Sequence, residues 1–460
     1  MYKIDFKHPC HIYFMGIGGI SMSGFAELLH SAGFTISGSD AKESNITKHL
    51  ETMGISILYG QRAQNITKNI DLVVYTAAIS KNNPEFMAAE ELGIPMMPRA
   101  EMVGQVMTNY ETPIAIAGTH GKTTTTSMVS HIFLAGEKDP TISVGGILKA
   151  INGNLRIGKS SNFITEACEY TNSFLHFNPK ISVILNIEED HMDFFKDIND
   201  IRASFKEFAH RLPEDGTLII NGEIDQYEEI TSDLTCNVIT YGFDKEKDFF
   251  AADNIEYDEN GYGCYDLYVN GEFKHRMHLS VVGRHNISNS LAALAVGYIT
   301  KIPFAVAEQG LQEFCGTDRR FQYKGKIGEL TIIDDYAHHP TEIKATLEAA
   351  RRYPAKSIWV VFQPHTYTRT KAFLPEFSDA LSAADHIILT DIYAAREVNP
   401  GDISSKDILN LLQEKGKDAY YFPSFDEIEN IILEKCGNGD LLITMGAGDV
   451  VSIGESLLGK

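Results

Sequence analysis

The sequence predicts an α/β protein of three domains, and three observations lead to this expectation. The chain has 460 residues, and about 150 residues per domain suggest about three domains. Short apolar runs alternate with helical segments along most of the chain, a pattern typical of parallel sheets flanked by helices. Glycine-rich turns lie between a predicted strand and a predicted helix at residues 11–32 and again at 113–134.

The composition excludes several classes of protein. Lys and Arg total 40 against 62 Asp and Glu, which gives a net charge of −22, and such a charge weighs against nucleic-acid and anionic-membrane partners. The sequence lacks both a membrane-spanning apolar run and a signal peptide at the start. The 6 cysteines are scattered and form no C-x-x-C pair, so we expect neither a disulfide framework nor a zinc ribbon. These features predict a reduced, cytoplasmic protein.

The first predicted domain covers residues 1–107. Strands are expected at His11–Met15, 34–37 and 71–75, and a helix at 21–32. Because strands and helices alternate, the sheet of this domain should be parallel.

The second predicted domain covers residues 108–322 and combines parallel strands with a smaller antiparallel part. Parallel strands are expected at 114–117, 162–165 and 181–185. Residues 236–282 contain alternating β-rich segments, and Asn270-Gly271 between two of them predicts a hairpin turn. Helices are expected at 286–300 and 303–314.

The third predicted domain covers residues 323–460 and returns to the alternating pattern. Strands are expected at 330–333, 357–361, His386–Leu389 and 441–444. Helices are expected near 340–352, 371–384, 404–415 and 424–435.

The first glycine-rich turn has the properties of a site for a nucleotide diphosphate. Gly16 permits a tight turn, Gly18 permits a phosphate to approach the backbone, and the following helix offers free N–H groups. Asp40 ends the next strand, where a carboxylate can meet a ribose hydroxyl. Ser21 replaces the last glycine of the dinucleotide fingerprint, so the turn by itself does not choose between NAD and UDP.

The second glycine-rich turn predicts a nucleoside triphosphate site. Residues 118–123 read Gly-Thr-His-Gly-Lys-Thr between a strand and a helix, two residues shorter than the usual phosphate loop. Backbone N–H groups would surround the phosphates, Lys122 would neutralise them, and the Thr123 hydroxyl would bind Mg²⁺. Further oxygen ligands are available from Glu166 at a strand end and from the acidic segment 186–193, which contains His191.

Several segments together resemble the Mur ligase family. They are Gly118-Thr119-His120-Gly121-Lys122-Thr123-Thr124, Glu166-Ala167-Cys168-Glu169-Tyr170, the segment 186–193, His285-Asn286 with Asn289, Arg319-Arg320-Phe321, the segment 334–342, and the segment 363–371. They occur in the family order and extend from Gly16 to about Gly448. Within the family, the amino-acid sequences of these segments are most similar to those of the branch that uses L-alanine.

The resemblance implies a fold and an activity. It implies a Rossmann-like UDP-binding domain, a central P-loop-type ATPase domain with a parallel sheet plus a smaller antiparallel sheet, and a Rossmann-like C-terminal domain that binds the amino acid. The implied reaction joins L-alanine to UDP-N-acetylmuramate through an acyl phosphate, in the cytoplasmic stage of peptidoglycan synthesis, with ATP and Mg²⁺ as cofactors. We expect small-molecule substrates and a monomer or weak homodimer.

The resemblance also assigns residues to each ligand. For the UDP-sugar they are Gly16, Gly18, Gly19, Ser21, Asp40, Thr76 and Ala78. For ATP they are Gly118, Thr119, His120, Gly121, Lys122, Thr123, Thr124, Asn286, Asn289, Arg320 and Asp335. The metal ligands are Thr123, Glu166 and His191, and the catalytic residues are Lys122, Glu166, His191, Arg320, His338 and Arg369.

Alternatives remain open at this stage. A sister ligase that attaches a preformed murein tripeptide to the same UDP-sugar shares the phosphate loop and the Asp-x-x-His-His-Pro segment. An NAD-dependent oxidoreductase would explain the first turn but not residues 118–123, and a noncatalytic nucleotide-binding regulator would leave the catalytic set unexplained. Many Mur ligases carry a carbamylated lysine, and here Phe205 occupies the aligned position, as in the L-alanine branch.

Overall fold

Three separate β-sheets organise the chain in the computed structural model, which describes residues 3–76, 78–395 and 397–460. Ala77, between the predicted UDP-sugar residues Thr76 and Ala78, lies outside the described residues. Among the described residues, none of the helices combines the length and the apolar character that a membrane crossing requires.

The first sheet has five parallel strands in the order β3-β2-β1-β4-β5. Strand β1 is central: the chain continues to β2 and β3 on one side of it and then to β4 and β5 on the other. In open α/β sheets, ligands bind beyond the carboxyl ends of the strands at such a change of side. The elements are β1 His11–Met15, α1 Ile20–Ser31, β2 Thr35–Asp40, α2 Asn45–Thr52, β3 Ser56–Tyr59, β4 Leu72–Tyr75, α3 Pro84–Glu91, β5 Met96–Pro98 and α4 Arg99–Met107.

The second sheet has ten strands in the order β15-β14-β13-β12-β11-β10-β6-β9-β7-β8. The antiparallel strands β13 to β15 continue the parallel part, since β13 pairs with β12 at two residue pairs. The elements are β6 Thr112–Ala117, α5 Lys122–Ala135, β7 Thr141–Leu148, β8 Gly153–Arg156, β9 Asn162–Ala167, β10 Ile181–Ile184, α6 Ile198–Ala209, β11 Thr217–Asn221, α7 Glu228–Thr231, β12 Asn237–Gly242, β13 Phe250–Tyr257, β14 Tyr262–Val269, β15 Glu272–Val282, α8 Arg284–Ile299 and α9 Phe304–Glu313.

The third sheet has six strands in the order β16-β17-β21-β18-β19-β20, parallel except for β16. The elements are β16 Gln322–Ile327, β17 Leu330–Asp335, α10 Pro340–Ala350, β18 Ile358–Phe362, α11 Tyr367–Ala372, α12 Leu374–Leu381, β19 His386–Leu389, α13 Ser405–Glu414, β20 Asp418–Tyr421, α14 Phe425–Lys435, β21 Leu441–Met445 and α15 Val451–Leu457.

Helix α4 fixes the first sheet against the second. Met102 and Val103 of α4 belong to the same buried cluster as Phe163 and Phe174 of the central part. Gly104 faces the carbonyl of His176 so closely that an added Cβ would lie 1.8 Å from its oxygen. The core therefore continues from the first sheet into the second.

The predicted elements agree well where an apolar run is long or a turn signal is strong. Strands β1 and β19 have the predicted bounds, and the predicted hairpin at Asn270-Gly271 joins β14 to β15 with both residues at positive φ. The predicted helix 371–384 is instead two helices, α11 and α12, separated by Phe373. The sequence analysis missed short or polar strands, among them β3, β8 and β16.

Candidate active site

The turn after β1 is shaped by hydrogen bonds to β2. The amides of Gly16 and Ile17 both donate to the carbonyl of Ser39 at 2.9 Å. The amide of Gly18 donates to the Asp40 carboxylate at 2.8 Å, and a Cβ on Gly18 would lie 2.8 Å from the same oxygen. The predicted residues Gly16, Gly18 and Asp40 therefore form one unit, in which Asp40 supports the turn directly.

The remaining predicted UDP-sugar residues surround the same turn. Thr76 lies against Gly16, whose Cβ position is 3.5 Å from the Thr76 methyl group, and the Thr76 hydroxyl accepts from the Ala78 amide at 3.2 Å. Gly19 is the N-cap of α1. Ser21, in the first turn of that helix, accepts a hydrogen bond from the partly buried guanidinium of Arg99 at 2.9 Å. The sequence analysis did not identify Arg99, which adds a positive charge beside the turn.

The predicted phosphate loop, residues 118–123, lies at the junction of β6 and α5 and requires its glycines. Gly118 has φ +149° and Gly121 has φ +82°, in the left-handed region that favours glycine. A Cβ on Gly121 would also lie 2.8 Å from the amide oxygen of Asn289. Asn186, which follows β10, binds both backbone groups of His120, at 2.7 Å and 3.1 Å. The conformation of the loop is therefore fixed by the backbone angles of its glycines and by the hydrogen bonds of Asn186.

Lys122 is paired with a buried carboxylate that the sequence analysis did not single out. Its ammonium group lies 2.9 Å from Glu169 and also donates to the carbonyls of Gly118 and Thr119. Burial alone would lower the pKa of Lys122, but the Glu169 charge and further acidic groups outweigh burial and raise it. Lys122 is therefore a charged cation at the position where phosphates would bind.

Thr123 and Glu166 offer adjacent oxygen atoms. The Thr123 hydroxyl lies 3.0 Å from one Glu166 oxygen, and the other accepts from the Gly145 amide at 2.5 Å. Burial raises the pKa of Glu166, against the opposing effects of Gly145, Thr123 and Lys122. A hydroxyl and a carboxylate at this spacing fit a divalent cation, which prefers oxygen ligands.

His191 lies beside Glu169, a carboxylate that was not among the predicted metal ligands. Its Nε2 atom lies 3.6 Å from Glu169 Oε1, a buried oxygen without a hydrogen-bond partner among the described residues. His191 itself has φ +53°, a strained conformation that is common at functional sites. An unpartnered buried oxygen beside an imidazole fits a second cation position.

Arg320, Asp335 and His338 meet around Glu342 and the end of β17. Arg320 donates to Glu342 at 3.4 Å, and its guanidinium lies 5.3 Å from the ring centroid of Tyr336. Burial raises the pKa of Asp335 to about 6, although Arg320 opposes this. Burial lowers the pKa of His338 to about 4, although Glu342 lies 3.2 Å away. His338 lies two residues before α10, which begins at Pro340.

A polar cluster joins the phosphate loop to the C-terminal domain. His120 lies 3.2 Å from Glu342 and 3.6 Å from Glu188, which accepts from the Thr341 hydroxyl at 2.6 Å. Burial would lower the pKa of His120, but Glu342 and Glu188 raise it to about 9.

His339 lies close enough to complete a three-ligand metal group with His120 and Glu188. Its Nδ1 accepts from the Thr341 amide, so its Nε2 must donate to the Glu189 carbonyl at 3.0 Å. His339 is thus satisfied by backbone groups, and His120 forms an ionic contact between the domains with Glu342 and Glu188.

Arg369 forms a buried ion pair across the domains with Asp190. One Asp190 oxygen accepts from two guanidinium nitrogens, at 2.8 Å and 3.2 Å, and the side chains are 10% and 8% exposed. Burial would raise the pKa of Asp190, but Arg369 and His191 hold it well below its usual range.

A cavity of about 620 Å³ lies between the central and C-terminal domains. Its wall includes predicted ATP residues of both domains, namely His120, Thr124, Asn286, Asn289, Arg320 and Asp335. Aromatic side chains, among them Phe243 and Tyr323, complete the wall. Asn286 and Asn289 lie in the first two turns of α8, whose N-cap is Gly283. The volume and the mixed polar and aromatic lining suit a nucleoside.

Sequence reasoning missed Glu169, Asp190, Glu342 and Asn186 as site residues, although all four lie within motifs it used. The partners are far apart along the chain, 47 residues for Lys122 and Glu169 and 179 residues for Asp190 and Arg369. A single available signal was the density of carboxylates at strand ends, which predicts nearby cations without saying which ones.

Lys206 follows Phe205, the residue that aligns with the carbamylated lysine of many Mur ligases. It pairs with Asp233 at the surface.

Three family models match the chain. They are the Mur ligase family, catalytic domain, over residues 11–111, the Mur ligase middle domain over 116–297, and the Mur ligase, glutamate ligase domain over 319–448.

Full-length relatives match as well. The UDP-N-acetylmuramate–L-alanine ligases of Agathobacter rectalis and Lachnoclostridium phytofermentans are 62% and 59% identical, each over 100% of both chains. The crystal structure of the UDP-N-acetylmuramate-alanine ligase of Thermotoga maritima is 28% identical, with a TM-score of 0.79 over 98% of both chains. A murein peptide ligase of Psychrobacter arcticus, 23% identical with a TM-score of 0.70, shares the fold.

Proposed function

The chain belongs to the Mur ligase family, and we propose that it joins L-alanine to UDP-N-acetylmuramate in peptidoglycan synthesis. It is an ATP-dependent ligase that forms an amide bond. The full-length relatives at 62% and 59% identity carry this activity in their names. The observation that carries the proposal is a cavity lined by predicted ATP residues of two domains, whose wall includes His120 and Gly121 of the loop just before Lys122.

The reaction requires activation of a carboxylate, because a free carboxylate is a poor electrophile. The lactyl carboxylate of the sugar attacks the γ-phosphorus of ATP and releases ADP, which leaves an acyl phosphate. The amine of L-alanine then attacks the acyl carbon, loses a proton, and displaces inorganic phosphate. Both steps bring anionic groups together, so positioning and positive charge supply most of the catalysis.

The chain's own residues meet these demands at specific atoms. The Lys122 ammonium would bind the phosphates in place of Glu169, and Arg320 would bind them from the C-terminal side. Mg²⁺ would be held by Thr123, Glu166 and His191, and it supplies neutralisation of the phosphate oxygens when bound. His338 and Arg369 would orient the amino acid.

The proposal assigns one ligand to each domain. Residues 1–107 would bind the UDP-sugar at the turn after β1, residues 108–322 would bind ATP with Mg²⁺, and residues 323–460 would bind L-alanine. Because the three ligands must meet, we expect the domains to close before the chemistry. We further propose that the enzyme acts in the cytoplasm as a monomer or weak homodimer.

An ADP-release assay with a panel of acceptors tests the proposal. Purified protein with ATP, Mg²⁺ and UDP-N-acetylmuramate should release ADP when L-alanine is added. Release with the murein tripeptide and not with L-alanine would instead identify the sister ligase.

A further inference from the structure

A carboxylate at the start of α3 is buried in the first domain and takes no part in the proposed chemistry. Glu85 is fully buried and is the second residue of α3, which begins at Pro84. The Tyr13 hydroxyl and the Asn65 amide donate to Glu85 Oε1, at 2.9 Å and 2.6 Å. The Ser39 hydroxyl donates to Oε2 at 2.6 Å. Both carboxylate oxygens therefore accept hydrogen bonds, and all three of these donors are neutral.

Two of the donors connect Glu85 to the turn after β1, residues 16–19. Tyr13 belongs to β1, which leads directly into this turn. Ser39 belongs to β2, and its carbonyl accepts the amides of Gly16 and Ile17 at 2.9 Å. The hydroxyl and the carbonyl of Ser39 thus join the carboxylate to the backbone of the turn. A displacement of Glu85 would therefore move the place where the diphosphate of the sugar substrate would bind.

The third donor connects Glu85 to the segment after β3, residues 60–65. The Asn65 side chain donates to the Gly60 carbonyl at 2.9 Å as well as to Glu85. The Gly60 amide in turn donates to the Asp40 carbonyl at 2.8 Å. Segment 60–65 therefore lies beside Asp40, the residue that is predicted to meet the ribose. Because β1, β2 and β3 are parallel neighbours, the turn and this segment share one edge of the sheet.

A nucleotide diphosphate that lies along this edge would contact both parts. Its phosphates would bind at the turn after β1, and its nucleoside would extend past Asp40 toward segment 60–65. Two subsites bind one ligand together only when the distance between them matches the ligand, since a mismatch weakens the contacts in one of them. A rigid link between the subsites therefore raises the affinity without itself contacting the ligand.

We propose that Glu85 is a positioning residue for the UDP-sugar, because it fixes the distance between turn 16–19 and segment 60–65. The inference rests on the proposed function and adds to it a residue that acts through other groups. A carboxylate suits this place, since both of its oxygens accept while the three surrounding groups donate. These charge-assisted bonds and the N-terminus of α3 stabilise the buried charge.

The first test compares Glu85→Ala with the wild-type protein in the ADP-release assay. The KM for UDP-N-acetylmuramate should rise about tenfold or more, because the hydrogen bonds that align the two subsites are lost. The KM values for ATP and L-alanine, and kcat, should change less than about threefold, since these ligands are assigned to the other domains. Such a split between substrates is not expected from a general loss of stability.

Glu85→Gln tests whether hydrogen bonding carries the effect. The glutamine oxygen can still accept from Tyr13 and Asn65, and the Ser39 hydroxyl can accept from the new amide group. Glu85→Gln should therefore recover most of the UDP-N-acetylmuramate affinity that Glu85→Ala loses. A KM as high as that of Glu85→Ala would overturn the inference.

A milder variant guards against misfolding. Asn65→Ala removes one link at a half-buried side chain and leaves Tyr13 and Ser39 bound to Glu85. The KM for UDP-N-acetylmuramate should rise about three- to tenfold, while calorimetry shows a Tm within about 3 °C of wild type. Asn69→Ala is the matched control and should behave as wild type, because Asn69 is exposed and precedes β4, at the opposite edge of the sheet.

Calorimetric titration with UDP-N-acetylmuramate separates the outcomes. A wild-type Kd in Glu85→Ala overturns the inference, and so does an equal rise of the KM for all three substrates, which would show that Glu85 only stabilises the fold. If Glu85→Ala does not fold, Asn65→Ala decides, and a wild-type Kd in that variant overturns the inference. If the wild-type protein does not bind UDP-N-acetylmuramate at all, the proposed function fails. If wild type binds it and the variants bind it equally well, only this inference fails.

Discussion

Glu169→Gln should destabilise the ligand-free protein, because it removes the negative charge that balances Lys122. The two groups are 2.9 Å apart, with side chains 3% and 16% exposed. At an effective dielectric constant of about 20, unit charges at this distance attract by about 6 kcal/mol. Breaking a buried pair costs about 3–5 kcal/mol once solvation is included.

We expect a loss at the lower end of this range, about 3 kcal/mol. Lys122 keeps its hydrogen bonds to the carbonyls of Gly118 and Thr119, and a glutamine still offers an oxygen to the ammonium group. For domains of this size, about 3 kcal/mol corresponds to roughly 6–12 °C in Tm. Differential scanning calorimetry of the ligand-free protein measures this shift directly.

Nucleotide binding should reduce the difference, since the phosphates would supply the missing negative charge to Lys122. The Tm gap between Glu169→Gln and wild type should therefore shrink by at least half in saturating MgATP. Glu189→Gln is the control, because its side chain is exposed and lies in a neighbouring loop. An unchanged Tm without nucleotide, or a gap of equal size with and without it, would refute the reasoning.

Three further predictions concern the loop, the packing and the pH dependence. Lys122→Ala should lower ADP release by about a hundred- to thousandfold while calorimetry shows unchanged UDP-sugar binding; full activity would exclude Lys122 from phosphate binding. Gly104→Ala, with its Cβ 1.8 Å from a backbone oxygen, should lower the free energy of unfolding by about 3 kcal/mol, whereas Gly153→Ala, which has nothing within 4 Å, should not. The pKa of His120 is raised to about 9 in the folded state. Its protonation therefore adds about 3 kcal/mol to the free energy of unfolding. This stabilisation is complete below the unfolded-state pKa near 6.5 and is lost as the pH rises through 9. Denaturant titrations from pH 6 to 10 should show that loss in wild type and a smaller loss in Glu342→Gln, in which only Glu188 remains to raise the pKa of His120.

Strands that are buried on both faces were predictable because their sequence is a continuous apolar run. Strand β1, His11–Met15, has four fully buried residues and the predicted bounds. Strand β16, Gln322–Ile327, has no fully buried residue and two lysines, so its sequence resembles a loop. Edge strands pair on one side only and are often charged, which removes the apolar signal on which the prediction depends.

The glycine-dependent turn of the site was predictable, but the pairing of the site's charges was not. Gly118, Gly121 and Lys122 follow from the local requirement for a turn that receives phosphate, and the structure gives both glycines positive φ. Which carboxylate faces Lys122 depends on how the end of β9, just before Glu169, lies relative to the start of α5. Local sequence carries no information on the distance between these two points, so Glu169 was seen only as part of a motif.

The acidic character of the chain has a role inside the site that net charge alone does not reveal. Lys122 faces Glu169, Arg369 faces Asp190, and Arg320 faces Glu342. Each cation proposed to bind an anionic ligand therefore already has a carboxylate partner from another segment. An anionic ligand must compete with that partner, which lowers its affinity but keeps the buried cation neutralised before binding. Removing such a carboxylate should thus have opposite effects, weakening the ligand-free fold and strengthening the binding of an anion to the freed cation.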